Sequence, residues 1–364
     1  MVAIPHAVED IDAEWLRASV GRDDAAAFDN LVSVAAERLG EGVAISASIH
    51  RLSLGYTPGA RRGPANLVVK TPSAGPAVRA VAFGWSTYRR EVLFYREVAA
   101  TLDLRIPKTY VAEHDPQTGR FVLVMEDLSH ATDGDQVAGL PLEHAKMALE
   151  EIAALHARWW NRPELRALEA TIQPFGQGLW AGSGARHAAA WPAFEAFVSA
   201  RASPELLGVG ERLGVALDRM MVDMAAEPRT LCHGDFRADN LMFVPGEGPR
   251  RLITVDWQAP MQARGAFDVA MLMSMSVTTE LRRAHQEDLL RGYYERLLAG
   301  GVQGYAYDEF FQDYRRGLAI GFTYVVQGGP AADMSNPRTL ALFDSAVRRL
   351  DATIHDYGLS EFVR

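Results

Sequence analysis

The sequence predicts an α+β fold in two lobes, a small antiparallel-sheet N-terminal lobe followed by a mainly helical C-terminal lobe. Two observations predict it. Up to Asp127, apolar residues alternate or gather in short runs broken by Gly, Pro and Asp, as strands and turns require. Beyond residue 140 they recur every three to four positions over long stretches, as amphipathic helices require. The expected division is residues 1–127 and 128–364, with a loop-like boundary in SHATDGDQVAGLP.

In chain order, residues 11–40 read as helical, with Leu16, Phe28, Leu31, Val32, Val34 and Leu39 on a rough helical period. AISASIHRLSLGY (44–56) alternates like a half-buried strand. TPGARRGPA is turn chemistry, and NLVVK (66–70) is a short apolar strand. STYRREVLFYREVAAT (86–101) reads as a helix capped by Ser86 or Thr87. Residues 108–128 read as a hairpin turning at DPQTG. Helices follow at 142–161 and near 191–225, 266–277, 279–299, 306–326 and 337–356, while the Gly-rich stretch 171–190 reads as irregular.

Composition excludes several classes. The chain has 364 residues, 48% apolar and 23% charged, with a formal net charge of −9. No Lys/Arg block stands out, so nucleic acid is not an expected partner. The single cysteine, Cys232, allows neither an internal disulfide nor a Cys-based zinc site, and favours a reducing compartment. The N-terminus shows no signal-peptide pattern, and no run approaches the ~18 apolar residues of a membrane span. The expectation is a cytoplasmic monomer or homodimer that needs no membrane.

The chemistry concentrates in residues 231–257. His233-Gly234-Asp235 is followed by Asn240, then by the apolar runs LMFV and RLITV around the turn PGEGPR, then by Asp256. If Val244 pairs near Leu252 and Leu241 near Val255, the hairpin sets Asn240 opposite Asp256, with Asp235 nearby. Asn240 and Asp256 offer the hard oxygen ligands that Mg²⁺ takes alongside substrate phosphates. Asp235, uncommitted to metal, suits the proton of an attacking hydroxyl.

This motif resembles the catalytic loop and metal-binding Asp of the protein-kinase-like superfamily. Its His-Gly-Asp form is similar to the aminoglycoside phosphotransferase and choline-kinase branch. Asp256-Trp257-Gln258 is similar to the ecdysteroid-kinase-like group. The resemblance implies an ATP- and Mg²⁺-dependent transfer to a small-molecule hydroxyl acceptor. It implies that Lys70, in a chain whose 37 basic residues include only two other lysines (Lys108 and Lys146), neutralises ATP phosphates and pairs with Glu91. It implies that backbone at Glu126, Asp127 and Leu128 holds adenine in a cleft between lobes, and that Asp268 braces the catalytic loop. LHARWW (155–160) and GAFDVAMLM (265–273) also look like family segments. The glycine-rich loop departs from the pattern: Gly55 and Gly59 stand near its expected place, with Arg61 and Arg62 as candidate phosphate contacts.

His233 reads as structural, packed under the metal loop, and His156, Trp159 and Trp160 as core. Trp180 and Trp191 fit either a substrate pocket or the core. Asp313 and Asp333 are candidates to attract a cationic acceptor. Two other readings stand beside the kinase: a catalytically weak, kinase-like nucleotide-binding module, and a kinase for an acyl- or CoA-linked hydroxyl. A metal hydrolase built on His233, Asp235 and Asp256 would leave Lys70 and Glu91 unexplained.

Overall fold

A computed structural model describes residues 3–39, 47–60, 63–246, 251–329 and 332–364. The chain divides into two compact units, residues 1–131 and 132–364, a boundary four residues beyond the one expected.

Unit 1 opens with α1 (Ala13–Ser19) and the short α2 (Arg22–Ala25). Asp12 caps α1 by accepting the Trp15 amide at 2.8 Å. Then come β1 (Leu31–Leu39), β2 (Ala47–Tyr56) and β3 (Asn66–Pro72), the helices α3 (Pro76–Gly84) and α4 (Thr87–Leu93), and the hairpin β4 (Thr109–His114) and β5 (Phe121–Glu126). The five strands form one antiparallel sheet in the order β1-β2-β3-β5-β4. One face is sealed by Leu16, Phe28, Leu52, Leu67, Val69, Val122 and Val124, all buried.

The helical reading of 11–40 fails after Ala25, because Leu31–Leu39 is the edge strand of this sheet. Only Leu31 in it is buried, so the alternation that identifies a strand is missing, and Ala, Glu, Arg and Leu supply helix-like propensity. Pairing with β2 overrides that propensity. The segment Pro76–Gly84 was not anticipated as a helix. Ser86 stands at the cap of α4, but in the left-handed region (φ 52°) and with no side-chain capping bond. The helix continues past Leu93 as a π-helical turn over Phe94–Val98.

Unit 2 begins with β6 (Thr132–Asp133), then α5 (Leu142–Trp159) and the short α6 (Glu164–Ala167). Where one helix was expected near 191–225, two occur: α7 (Ser183–Val198) and α8 (Pro204–Met224). The break has a local cause. Ser203 accepts the Leu206 amide as an N-cap, and Pro204 opens the helix. Next come β7 (Thr230–Cys232), β8 (Leu241–Phe243), β9 (Leu252–Thr254) and β10 (Met261–Ala263). The helices α9 (Ala266–Met275), α10 (Thr279–Ala299), α11 (Tyr307–Gly328) and α12 (Pro337–Tyr357) complete the unit. Every residue of α9 is buried. β7 pairs with β10, and β6, β8 and β9 form a second small sheet. The loop 233–240 therefore runs from one small sheet to the other, with both ends fixed. Among the described residues, no helix is long and apolar enough to cross a membrane.

Phe28 is fully buried and packs edge-on against Tyr110, with ring centroids 5.6 Å apart. Phe28→Ala is expected to destabilise unit 1 by about 3–5 kcal/mol, read as a lower urea midpoint by circular dichroism. An unchanged midpoint would contradict this packing.

Candidate active site

The loop is set from beneath by one carboxylate. Asp268, buried in the first turn of α9, accepts the His233 amide at 2.7 Å and the Gly234 amide at 2.9 Å. Gly234 sits at φ 81°, and a Cβ there would lie 2.0 Å from the Ala259 carbonyl oxygen, so only glycine fits. His156 Nε2 lies 3.2 Å from the same carboxylate, and its Nδ1 lies 2.8 Å from the Tyr293 hydroxyl. Burial, with Cys232 and Asp268 adding to it, pushes the Tyr293 hydroxyl well above its ordinary pKa. Asp268 can only accept, so Nε2 carries a hydrogen toward it, while Nδ1 and the Tyr293 hydroxyl share the second bond. Gly265 makes room for this pair, since a Cβ there would stand 2.4 Å from His156 Nδ1 and 2.6 Å from the Tyr293 oxygen. His156, Cys232 and Asp268 cluster within metal-ligand reach of one another. Both Asp268 oxygens are already committed to the His233 and Gly234 amides, and burial pushes the Cys232 thiol up.

Above this brace, His233 joins the two arms of the loop. Its Nδ1 lies 3.2 Å from the Asp235 amide and its Nε2 lies 3.0 Å from the Val255 carbonyl. An amide must donate and a carbonyl must accept, so Nε2 carries the hydrogen. The ring also leans on Trp257, 4.5 Å between centroids.

The hairpin register differs from the expected one by one residue. Leu241 pairs with Thr254 and Phe243 with Leu252, so Asn240 faces Val255, whose amide it accepts at 3.0 Å. The Val244 amide bonds the Arg251 carbonyl across the turn, and this bond sets the register. Asp256 follows one position later in the left-handed region, φ 63°. The Asn240 Nδ2 donates to the Asp235 carbonyl at 2.8 Å and to Asp235 Oδ2 at 3.1 Å. Both partners are acceptors, so the amide nitrogen must face them, and the amide oxygen is directed elsewhere. Gln258 Nε2 donates to Asp256 Oδ2 at 3.2 Å.

Arg237 carries no role in the sequence reading, yet it touches the centre. Its Nε donates to Asp235 Oδ1 at 3.0 Å, and its Nη1 reaches Gln136 Oε1 at 2.7 Å and Asp239 Oδ2 at 3.5 Å. Burial works against its charge, but Asp235, Asp239 and Asp256 outweigh that and raise its pKa overall. The signal available was an arginine two positions after Asp235. Gln136 offered no signal, since it lies 101 residues from Arg237.

Unit 1 holds a separate constellation. Lys70, in β3, places Nζ 2.8 and 2.9 Å from the two oxygens of Glu91 in α4, and both residues are buried. Glu126 is tied to Lys108: its amide donates to the Lys108 carbonyl, and its carboxylate accepts the Lys108 amide, each at 2.9 Å. Asp127 accepts from Arg51 at 3.0 Å and from the Ser129 amide at 2.9 Å. The Leu128 carbonyl accepts the Ala131 amide.

Several expected positions move. Gly55 is not in a loop. It lies within β2 opposite Ser33, where a Cβ would meet Ser33 Oγ at 2.3 Å. The sequence reading takes β2 as the first strand, whereas β1 precedes it in the sheet. Residues 40–46, Arg61 and Arg62 lie outside the described residues. Gly59 sits in a turn at φ 77°. Asp313 cannot attract an acceptor, because it is buried and bonded to Arg264 (2.6 Å), Arg316 (2.8 Å) and the Tyr305 hydroxyl (2.8 Å). Asp333 folds onto Ser335 in an exposed turn. Trp191 is core, against Phe194 and Phe322, while Trp180 is half-buried and stacks on Tyr324.

The fold is that of the protein-kinase-like superfamily. The ecdysteroid kinase-like family model matches residues 42–162 and 188–300, so the chain belongs to that family. Among solved structures, a candidate aminoglycoside phosphotransferase of Ralstonia eutropha JMP134 is 18% identical, with 97% of this chain and 98% of that one covered and a TM-score of 0.57. APH(2")-IIIa, in complex with GDP and kanamycin, is 14% identical over 88% and 93%, at 0.54. Plasmodium vivax ethanolamine kinase is 10% identical over 87% and 82%, at 0.50. At these identities the likeness is one of fold. No curated protein matches in sequence.

Asp268→Ala leaves two buried amides without an acceptor, a loss of about 1–3 kcal/mol each. The expected result is a lowered urea midpoint together with faster hydrogen exchange at the His233 and Gly234 amides. Unchanged exchange at both would contradict the brace.

Proposed function

We propose that this chain transfers the γ-phosphoryl group of ATP to a hydroxyl of a small molecule. The observation that carries this reading is the gathering of Asp235, Asn240 and Asp256 by one braced loop and one hairpin. The donor chemistry fits a hard cation. Asn240 turns its amide nitrogen to Asp235, leaving an amide oxygen, and Asp256 adds a carboxylate one residue beyond the hairpin pair. These two residues would hold Mg²⁺, which supplies charge neutralisation at phosphate oxygens.

The remaining steps belong to the chain's own groups. Asp235, with Oδ1 held by Arg237 and Oδ2 by Asn240, accepts the hydroxyl proton as the acceptor oxygen attacks phosphorus. Lys70, held by both oxygens of Glu91, presents a fixed ammonium to phosphate oxygens. Since the Glu126 amide is bonded to Lys108, adenine is read by the backbone of Asp127 and Leu128. Unit 1 is thus the nucleotide-binding part, and unit 2 the catalytic and acceptor-binding part. A non-catalytic nucleotide-binding module would have no need of Asp235, Asn240 and Asp256 together. The named neighbours, ethanolamine kinase and a kanamycin-bound phosphotransferase, support a small hydroxylated acceptor.

Asp235→Asn is expected to lower acceptor-dependent ADP release by about 10²–10⁴-fold while Mg-ATP affinity, measured by calorimetry, stays near wild type. Near-wild-type turnover would remove Asp235 as the base. Lys70→Met is expected to weaken Mg-ATP binding and, by leaving Glu91 buried without its partner, to cost about 3–5 kcal/mol of stability. A variant as stable and as tight-binding as wild type would contradict that role.

A further inference from the structure

We propose that Gln136 is a positioning residue for Asp235, acting through Arg237 from outside the catalytic loop. The proposal rests on the reading of Asp235 as the proton acceptor. A carboxylate used as a base must be held against rotation about its own side-chain bonds. Asn240 holds one oxygen of Asp235 at 3.1 Å and Arg237 holds the other at 3.0 Å. Asn240 is short and buried. Arg237 is long, and in the field of Asp235, Asp239 and Asp256 its guanidinium has more than one acidic neighbour to choose from. Gln136 removes that choice. Its Oε1 accepts Nη1 at 2.7 Å, shorter than the 3.5 Å from Nη1 to Asp239. A neutral amide oxygen suits this task, because it orients the cation without competing as a second anion for the charge that Asp235 uses.

Gln136 is itself fixed on every side. It is 4% exposed. Its amide donates to Asp239 Oδ1 at 2.8 Å. Its carbonyl accepts from Arg349 of α12, whose guanidinium also bonds the carbonyls of Val137 and of Met275, the last residue of α9. A cation at the carbonyl end of a helix is electrostatically favoured. Two positions earlier, the Gly134 amide bonds the Leu241 carbonyl, and a Cβ at Gly134 would lie 2.3 Å from the Ala238 carbonyl oxygen. Leu140 is tied to Ser276, whose hydroxyl also accepts the Ala238 amide at 2.7 Å. Segment 134–140 is thus seated against the catalytic loop, and Gln136 is the side chain it sends to Arg237.

The test compares Gln136→Leu, Gln136→Glu, Arg237→Gln and the double variant Gln136→Leu/Arg237→Gln in the full chain. Gln136→Leu is expected to lower kcat about tenfold with KM for ATP changed less than about twofold, as misplacement of a reacting group does. In the Arg237→Gln background the same substitution is expected to change kcat less than about twofold, because its only route to Asp235 is gone. Gln136→Glu keeps an oxygen facing Nη1 but adds an anion that competes with Asp235, so its kcat is expected to lie between those of Gln136→Leu and wild type. Equal losses in both backgrounds would make Gln136 a packing residue and overturn the proposal. A crystal structure of Gln136→Leu reads the seating without turnover: Arg237 still bonded to Asp235 Oδ1 overturns the proposal. Arg237 released in a chain whose wild type shows no turnover would support the seating and strike the reading of Asp235 as a base.

Discussion

The site depends on one acceptor. Asp268 turns two consecutive backbone amides, those of His233 and Gly234, toward its own two oxygens, and every residue that follows takes its direction from that anchoring. The anchoring asks much of the sequence. Gly234 must reach φ 81° against the Ala259 carbonyl, Gly265 must admit the His156–Tyr293 pair, and α9 must be buried on every side so that its first-turn carboxylate stays dry. In such surroundings a hydrogen bond is strong and an unmade one is expensive. The brace therefore tends to be either whole or absent, and the loop it carries inherits that cooperativity.

From this base the loop distributes its polar groups without waste. His233 spans from the Asp235 amide to the Val255 carbonyl, so the arm leading to Asp256 is tied to the arm bearing Asp235. Asn240 spends its amide nitrogen on Asp235 and its backbone carbonyl on Val255. Arg237 is shared between Asp235, Asp239 and Gln136. Phosphoryl transfer, the reaction proposed for this chain, makes few covalent demands on a protein and many positional ones, and this density of fixed donors suits that kind of demand.

Much of this was legible in the sequence where chemistry and spacing coincide. His233-Gly234-Asp235 and Asn240 stand within eight residues, and a lysine is conspicuous at position 70 in a chain that otherwise prefers arginine. What stayed hidden was decided by tertiary pairing. Leu31–Leu39 carries helix-like residues on an exposed edge, so local propensity points to a helix, and without that edge strand Gly55 reads as part of a loop rather than of a paired strand. The hairpin register was missed by one residue because the bond from Val244 to Arg251 belongs to a turn whose length the sequence does not state. Asp313 looked available only because its partners Arg264 and Tyr305 come from distant segments. Gln136 had no local pattern to betray it.

The left-handed backbone at Asp256 has a consequence for mutational dissection of this family member. Aspartate and asparagine tolerate that conformation far better than alanine, so an alanine scan would alter main-chain geometry and remove the carboxylate in the same step. Only the isosteric exchange to asparagine separates the two contributions. Position 256 is therefore one where side-chain chemistry and chain folding have been assigned to a single residue, and where the usual truncation would misattribute the loss of one to the other.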